Sequence, residues 1–310
     1  MANSFTLTEV INTAIQIPGV KVDKESFLRE QFKKERSAKI ERIIKYGTIG
    51  AGCTRQELNK AAKHLINERT MFSSAVAFAA GIPGGLAMAV AIPADILQFY
   101  GMVLRMAQEL AYLYGEDDLW NGNTIDNEKV TNQLILYCGA MLGVSGATQA
   151  VRILSSKLAQ QALTKLPQKA LTKTFYYPII KSVAAFFGTK ITKDVFAKGV
   201  SKAVPVIGGV VSGGITFASM CPMGIRLAEA LDEAHFDYTQ EEFEADWQVI
   251  LKENEEETEE GADKNTASTF ELKEPNSPIE RLKNAREMFE LGLITEDEFD
   301  TIKNKIISEL

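Results

Sequence analysis

Asp95 and Glu109 stand fourteen residues apart in a segment of helical pattern. That spacing is close to four turns, so on one continuous helix they share a face about 21 Å apart, and paired acid/base chemistry would need a bend between them. Simpler roles are a helix start for Asp95, just after Pro93, and an i,i+4 ion pair for Arg105 with Glu109. The chain has only two histidines, His64 and His235, and neither has an HExxH setting or a second histidine at ligand spacing. No metal site is expected. Gly143-Val144-Ser145-Gly146 is not a nucleophile elbow, and no phosphate-cradling GxxxxGK[ST] loop is present. Gly47-Thr48-Ile49-Gly50-Ala51-Gly52 has the glycines in the wrong order for a dinucleotide fingerprint and reads as a turn. Residue chemistry therefore names no reaction, no catalytic residue and no cofactor.

The elements that would carry any site are helical. At 310 residues, 45% hydrophobic and 24% charged, the chain holds one sizeable core plus an appendage. Phe27, Leu28, Phe32, Ile40, Ile43 and Ile44 fit an amphipathic helix in a charged N-terminal arm over 1–46, with Gly47 as its stop. A helix over 55–70 follows, and Asn121-Gly122-Asn123 marks a turn. Cys53, Cys138 and Cys221 lie far apart in apolar settings, as buried free thiols do. The N-terminal residues carry no basic n-region and no long apolar run, so a cytoplasmic location is expected.

Two stretches, Met71 to Ala94 and Ala203 to Ile225, contain no charge. Each carries a proline followed by paired glycines, and each leads into a related phrase: Arg105-Met106-Ala107-Gln108-Glu109-Leu110 and Arg226-Leu227-Ala228-Glu229-Ala230-Leu231. A degenerate internal repeat is implied. Pro83 with Gly84 and Gly85 divides the first stretch, and neither half reaches the roughly 20 residues of a spanning helix. Gly139 and Gly143 have the spacing of close helix approach, repeated at Gly209 and Gly213. Periodicity alone does not separate a buried core from lipid, since both are apolar on most faces.

The net charge of −7 hides a segregation. Arg152 to Lys202 carries ten basic residues against one acid, while Glu229 to Asp263 carries fifteen acids against Lys252. Arg152, Lys157, Lys165, Lys169, Lys173 and Lys181, interleaved with leucines and Phe175-Tyr176-Tyr177, suit an anionic membrane surface, where each lysine contributes about 1 kcal/mol. The same lysines could instead face the acidic segment folded back over them. Nucleic acid is not expected, because the whole chain is acidic and the basic run holds a single arginine.

Ile82-Pro83-Gly84-Gly85, then Ile92-Pro93-Ala94-Asp95, then Arg105 through Glu109 and on to Tyr112-Leu113-Tyr114-Gly115, resembles the EcsC family; so does Val204-Pro205-Val206-Ile207-Gly208-Gly209. The likeness covers roughly residues 50 to 240. It implies a bacterial, mostly helical protein without an established activity, in a family named for association with a transporter operon. The last residues, from Ser277-Pro278-Ile279 through Leu291-Gly292-Leu293 to Lys305-Ile306-Ile307, are similar to the SHOCT short C-terminal domain. Gly292 would end one helix, and Thr295 with Glu298 would cap the next. Leu282, Phe289, Phe299, Ile302 and Ile306 form an apolar stripe that two short helices cannot bury alone, hence a self-association candidate.

The reading is an all-α helical bundle with Gly-rich apolar helices and a small C-terminal helical hairpin. Its parts are the arm (1–46), an EcsC-like domain (47–245), an acidic flexible linker (246–275) and a SHOCT-like hairpin (276–310). The expected function is noncatalytic: membrane-associated, peripheral to or inserted in the cytoplasmic membrane, with anionic lipid or a membrane protein as partner and self-association through the hairpin. Two alternatives stand beside it. One is a soluble helical enzyme or ligand-binding protein whose Gly-rich segments line a pocket near Asp95, Arg105 and Glu109; the other is a triggered membrane-inserting effector.

Overall fold

The computed structural model describes residues 6–70, 92, 94–120, 127–144, 146–157, 179–181, 183, 214–260 and four single positions between 286 and 304, with the backbone alone at 94–95, 127–129, 214–219 and 253–260. The fold is all-α, with no strand among the described residues. Pro83, Gly84, Gly85, Lys165, Lys169, Lys173, Pro205, Gly208, Gly209, Leu282, Phe289, Phe299, Ile302 and Ile306 lie outside the described residues, as do Gly213, Gly292, Thr295 and Glu298.

Threonine–glutamate pairs start three of the helices. Thr6 and Glu9 close a reciprocal capping box at α1 (Leu7–Ala14). Thr54 and Glu57 do the same at α4 (Arg55–Thr70), and Thr239 and Glu242 at α9 (Gln240–Glu260). In each box the hydroxyl accepts from the third backbone N–H while the carboxylate accepts from the cap N–H, so two orphan donors are satisfied at once. Asp23 caps α2 (Lys24–Gln31), accepting from Ser26 N at 2.8 Å, and its carboxyl pKa is lowered first by the Ser26 side chain and then by that backbone N–H. Next comes α3 (Ser37–Gly50), broken at Gly47, whose φ of 74° is the left-handed conformation that glycine alone adopts without strain. The expected stop at Gly47 is present as a kink, but helix resumes to Gly50, so of the turn expected over 47–52 only 51–52 is turn.

The centre of the molecule is α5 (Ala94–Leu113), whose described side chains are almost all buried. It ends at Gly115 (φ +97°), with Glu116 N bonding Ala111 O and Gly115 N bonding Tyr112 O. Those two bonds make a Schellman cap, so the Tyr114-Gly115 pair is a helix terminator. A second one, with Val144 N on Gly139 O and Gly143 N on Ala140 O, closes α6 (Asn127–Leu142). α7 (Ala147–Ser155) and α8 (Gly214–Phe236) complete the set.

Three helices run together through the core. Asn59 meets Tyr114 and Arg69 meets Glu109, so α4 is antiparallel to α5. Arg55 meets Asp232 and Ile66 meets Gly224, so α4 is antiparallel to α8 as well. Met106 meets Gly224, and ten residues on Glu116 meets His235, so α5 and α8 run in the same direction. The two related sequence phrases thus lie on parallel, neighbouring helices. Their arginines act alike: Arg105 donates to Gly19 O beyond α1, and Arg226 donates to Met141 O at the end of α6. Arg226 places its cation at the negative, C-terminal end of α6.

Two expected boundaries change. The segment over 1–46 does not stand off as an arm: Leu7, Val10, Ile11 and Ala14 recur at helical spacing on α1 and are buried against α5 and α6, with Leu28, Phe32 and Ile43 in the same core. Part of the acidic linker expected over 246–275 is helix, since α9 runs to Glu260. Its good helix formers propagate the turn, and Phe243, Trp247 and Ile250, spaced four and three apart, pack it onto the core. The second uncharged stretch also enters α8, where Met220, Cys221 and Met223 are core residues. No described helix is long and apolar enough to cross a membrane.

Candidate functional site

The polar groups that sequence spacing singled out on α5 are drawn into a seam shared with α4. Glu109, with its side chain 1% exposed, accepts from Arg69 Nε at 2.6 Å and Nη2 at 2.9 Å, and from Arg105 Nε at 3.0 Å. The expected i,i+4 pair is present, and Arg69 is the partner that spacing did not reveal. Burial opposes the Arg69 charge, but the Glu109 hydrogen bonds and charge outweigh it, so the guanidinium pKa is raised.

Beside it, Gln108 is fully buried and fully used. Its oxygen accepts from Val22 N and Trp120 Nε1, and its nitrogen donates to Val20 O and Leu104 O. These bonds pin the 19–22 turn onto α5. A carboxylate gripped by two guanidiniums and lining neither described cavity is poorly placed as a general base. Asp95 lies about 21 Å along an uninterrupted α5 from Glu109, so the two do not form an acid/base pair.

A cavity of about 250 Å³ opens between α4, the end of α5 and α8. Tyr114 donates its hydroxyl to Asn59 Oδ1 at 2.6 Å. Burial raises the phenol's pKa, and the negative charge of Asp232 adds to it. Asp232 Oδ2 accepts from Arg55 Nε and Nη2, at 2.9 and 2.6 Å. Arg55 also bridges to Asp237. Asp232 Oδ1 and Asn67 Oδ1 are buried without a hydrogen-bond partner, although both residues line the cavity. Past its rim, His235 Nε2 meets Glu116 Oε1 at 3.2 Å. Sequence reading missed Asn59, Asn67 and Asp232. The two asparagines sit eight residues apart on one face of α4, but only folding supplies Asp232 from more than 160 residues away.

A larger open cleft of about 750 Å³ lies between the 21–28 segment and residues 117–120. Its cations are engaged: Lys21 lies over Trp120 at 4.7 Å, and Lys24 donates to Glu116 O at 2.7 Å. Neither described cavity is lined by Asp95, Arg105 or Glu109, and the Gly-rich segments 71–91 and 203–213 expected to line a pocket beside them lie outside the described residues.

The basic cluster divides. Arg152 is bidentate to Asp246, at 2.9 and 2.6 Å, and donates to Glu233 at 2.8 Å. Tyr238 OH completes the group on Asp246 Oδ2. At Arg152 the acidic α9 is thus folded back on α7, while Lys165, Lys169 and Lys173 of the intramolecular alternative lie outside the described residues. Lys157 and Lys181 are exposed. His64 is exposed near Glu68, the three cysteines are buried and form no disulfide, and no group of potential metal ligands occurs among the described residues.

Comparisons of the chain with protein families, curated proteins and solved structures find no match.

Proposed function

We propose that this is a noncatalytic membrane-associated protein of EcsC type, which meets the cytoplasmic membrane through its uncharged stretches and self-associates through its SHOCT-like hairpin. The observation that carries the reading is the parallel course of α5 and α8. Because these neighbours point the same way, the uncharged residues 71–93 and 203–213 join the core at the same ends of adjacent helices. A single end of the bundle is thereby the point of attachment for both apolar stretches, while lysine-rich sequence lies between them. Lys157, Lys165, Lys169, Lys173 and Lys181 carry the electrostatic part; Arg152, already neutralised by Asp246 and Glu233, does not. The resemblance of Pro83-Gly84-Gly85, Tyr114-Gly115 and Pro205 through Gly209 to one family points the same way.

Flotation of the full-length chain with anionic and neutral vesicles, at low and high salt, tests it. Salt-resistant recovery is expected from apolar insertion, with a salt-sensitive fraction lost in the Lys165→Glu, Lys169→Glu, Lys173→Glu variant. No recovery under any condition overturns the membrane reading. For the hairpin, truncation before Pro275 is expected to give a smaller sedimenting species, and an unchanged oligomer would remove that role.

A further inference from the structure

We infer that the exposed side of α2, α3 and α4 is a docking surface for an anionic lipid bilayer, because six cations there meet no carboxylate and accompany an exposed tyrosine. The choice of partner rests on the membrane reading. It deepens that reading by placing an electrostatic contact on the helical core, apart from the lysines at 157–181.

The surplus is local and uncompensated. Residues 29–70 carry eleven lysines and arginines against five glutamates, in a chain whose net charge is −7. All five glutamates are engaged: Glu30 by Lys33, Glu35 and Glu57 by Lys39, Glu41 by Arg29, and Glu68 by Arg69 and His64. Arg55 turns instead to Asp232 and Asp237. Lys34, Arg36, Arg42, Lys45, Lys60 and Lys63 remain, each exposed and without a carboxylate partner among the described residues.

These cations share one side of the molecule. Arg29 donates to Glu41 at 2.7 Å, which ties α2 to α3, and Lys39 donates to Glu57 at 3.0 Å, which ties the start of α3 to the start of α4. Lys34 and Arg36 lie in the turn that joins α2 to α3. Arg42 and Lys45 are one turn apart and exposed on α3, while Ile43 between them turns to the core. On α4, Lys60 follows Glu57 by three residues and Lys63 follows Lys60 by three. The charge therefore continues from the Lys39 bridge along the helix that leads into the uncharged residues 71–93.

The pattern fits headgroups. Only Lys63 of the six lines a described cavity, so the charge is spread over helix faces rather than gathered in a pocket. A fluid anionic surface meets dispersed cations without demanding a fixed spacing. Tyr46 is 57% exposed, with Lys45 Nζ 5.1 Å from its ring centre, and is the one large apolar side chain exposed among the described residues. Tyrosine is enriched at the membrane–water boundary, where its ring and hydroxyl are both satisfied.

The test is partition of the full-length chain onto vesicles of mixed phosphatidylglycerol and phosphatidylcholine, and of phosphatidylcholine alone, at low and high salt. A cation near an anionic surface is worth roughly five-fold in partition. The combined variant Lys34→Gln, Arg42→Gln, Lys45→Gln, Lys60→Gln is therefore expected to lose at least about a hundred-fold on the anionic vesicles at low salt, and nothing on the neutral ones. Its two halves, Lys34→Gln with Arg42→Gln and Lys45→Gln with Lys60→Gln, should each lose about ten-fold or more, so one pair that is folded by circular dichroism suffices. Wild-type partition in a folded variant, or an equal loss on neutral vesicles, would overturn the assignment. Loss of a sedimenting oligomer in a variant of unchanged partition would give the face to the acidic α9 of a second copy, and tighter low-salt binding of duplex DNA than of anionic vesicles would give it to nucleic acid. The two readings fail separately. Salt-resistant recovery with no salt-sensitive part lost in the variant strikes this face and keeps the membrane reading, whereas no recovery of the wild type strikes both.

Discussion

Gly224 of α8 lies so close to Met106 of α5 that a Cβ on Gly224 would stand 3.1 Å from the methionine sulfur. The same atom would be 2.9 Å from Cγ1 of Ile66 on α4. Glycine at this point is what allows the three core helices to approach so closely. Gly139 does the same for α6, where a Cβ would come within 2.5 Å of Val183 and 2.8 Å of Ala147.

Gly224→Ala and Gly139→Ala are therefore both expected to destabilise. Overpacking costs about 1–3 kcal/mol, and the helix propensity of alanine returns only about 1 kcal/mol. Gly139→Ala should be the worse of the two, because its nearer obstacle lies well inside van der Waals contact. Urea midpoints measure both; a raised midpoint for either would show that its helices are not in close contact.

Glu109→Gln should be among the most damaging polar substitutions. It removes the one carboxylate that Arg69 and Arg105 share and leaves two guanidiniums together. Breaking a buried pair costs about 3–5 kcal/mol, and the partial exposure of both arginines places this variant at the lower end. Glu41→Gln, which breaks a fully exposed pair with Arg29, should cost far less, because solvent screens it. Equal losses in chemical denaturation would mean that the seam is solvated.

Arg152→Ala should free α9 rather than weaken lipid binding. Its guanidinium holds Asp246 and Glu233, and without it Asp246 is a buried carboxylate left with Tyr238 alone among the partners given above. Amide hydrogen exchange is expected to rise over Gln240–Glu260 and to stay unchanged over Leu7–Ala14. Loss of flotation with α9 still protected would return Arg152 to the membrane surface.

Acid should loosen the start of α4. The Glu57 pKa is lowered from 4.5, first by the Thr54 backbone N–H and then by Lys39. A carboxyl depressed in the folded state stabilises above its ordinary pKa, and that stabilisation is lost as pH falls through the folded value. Wild type is expected to melt above Glu57→Gln at pH 7, with the gap closing below about pH 4. A gap that persists in acid would assign the effect to hydrogen-bond geometry rather than charge.

Several features were legible because they are local. Gly47 as a stop, Tyr114-Gly115 as the end of the central helix, and Arg105 with Glu109 one turn apart all depend on neighbours within a few residues. The capping boxes at Thr6, Thr54 and Thr239 carry the same threonine-glutamate spacing as Thr295 with Glu298 and could have been read equally well. Other features were not legible in this way. The charged stretch over 24–42 reads as a solvated arm, whereas the Leu7, Val10, Ile11, Ala14 stripe ahead of it docks the N-terminal segment on the core.

By itself, then, the sequence determined an all-α chain, the break at Gly47 and that its cysteines are buried, because hydrogen bonds along a helix and apolar periodicity are set by near neighbours. Tertiary structure alone decided that α5 and α8 run parallel, that Arg69 joins Glu109, that Arg152 belongs to α9, and that Asn67 and Asp232 share a cavity. Those pairings join residues 40 to 165 positions apart. No short-range pattern encodes them; they follow from which helical faces bury the most apolar surface together.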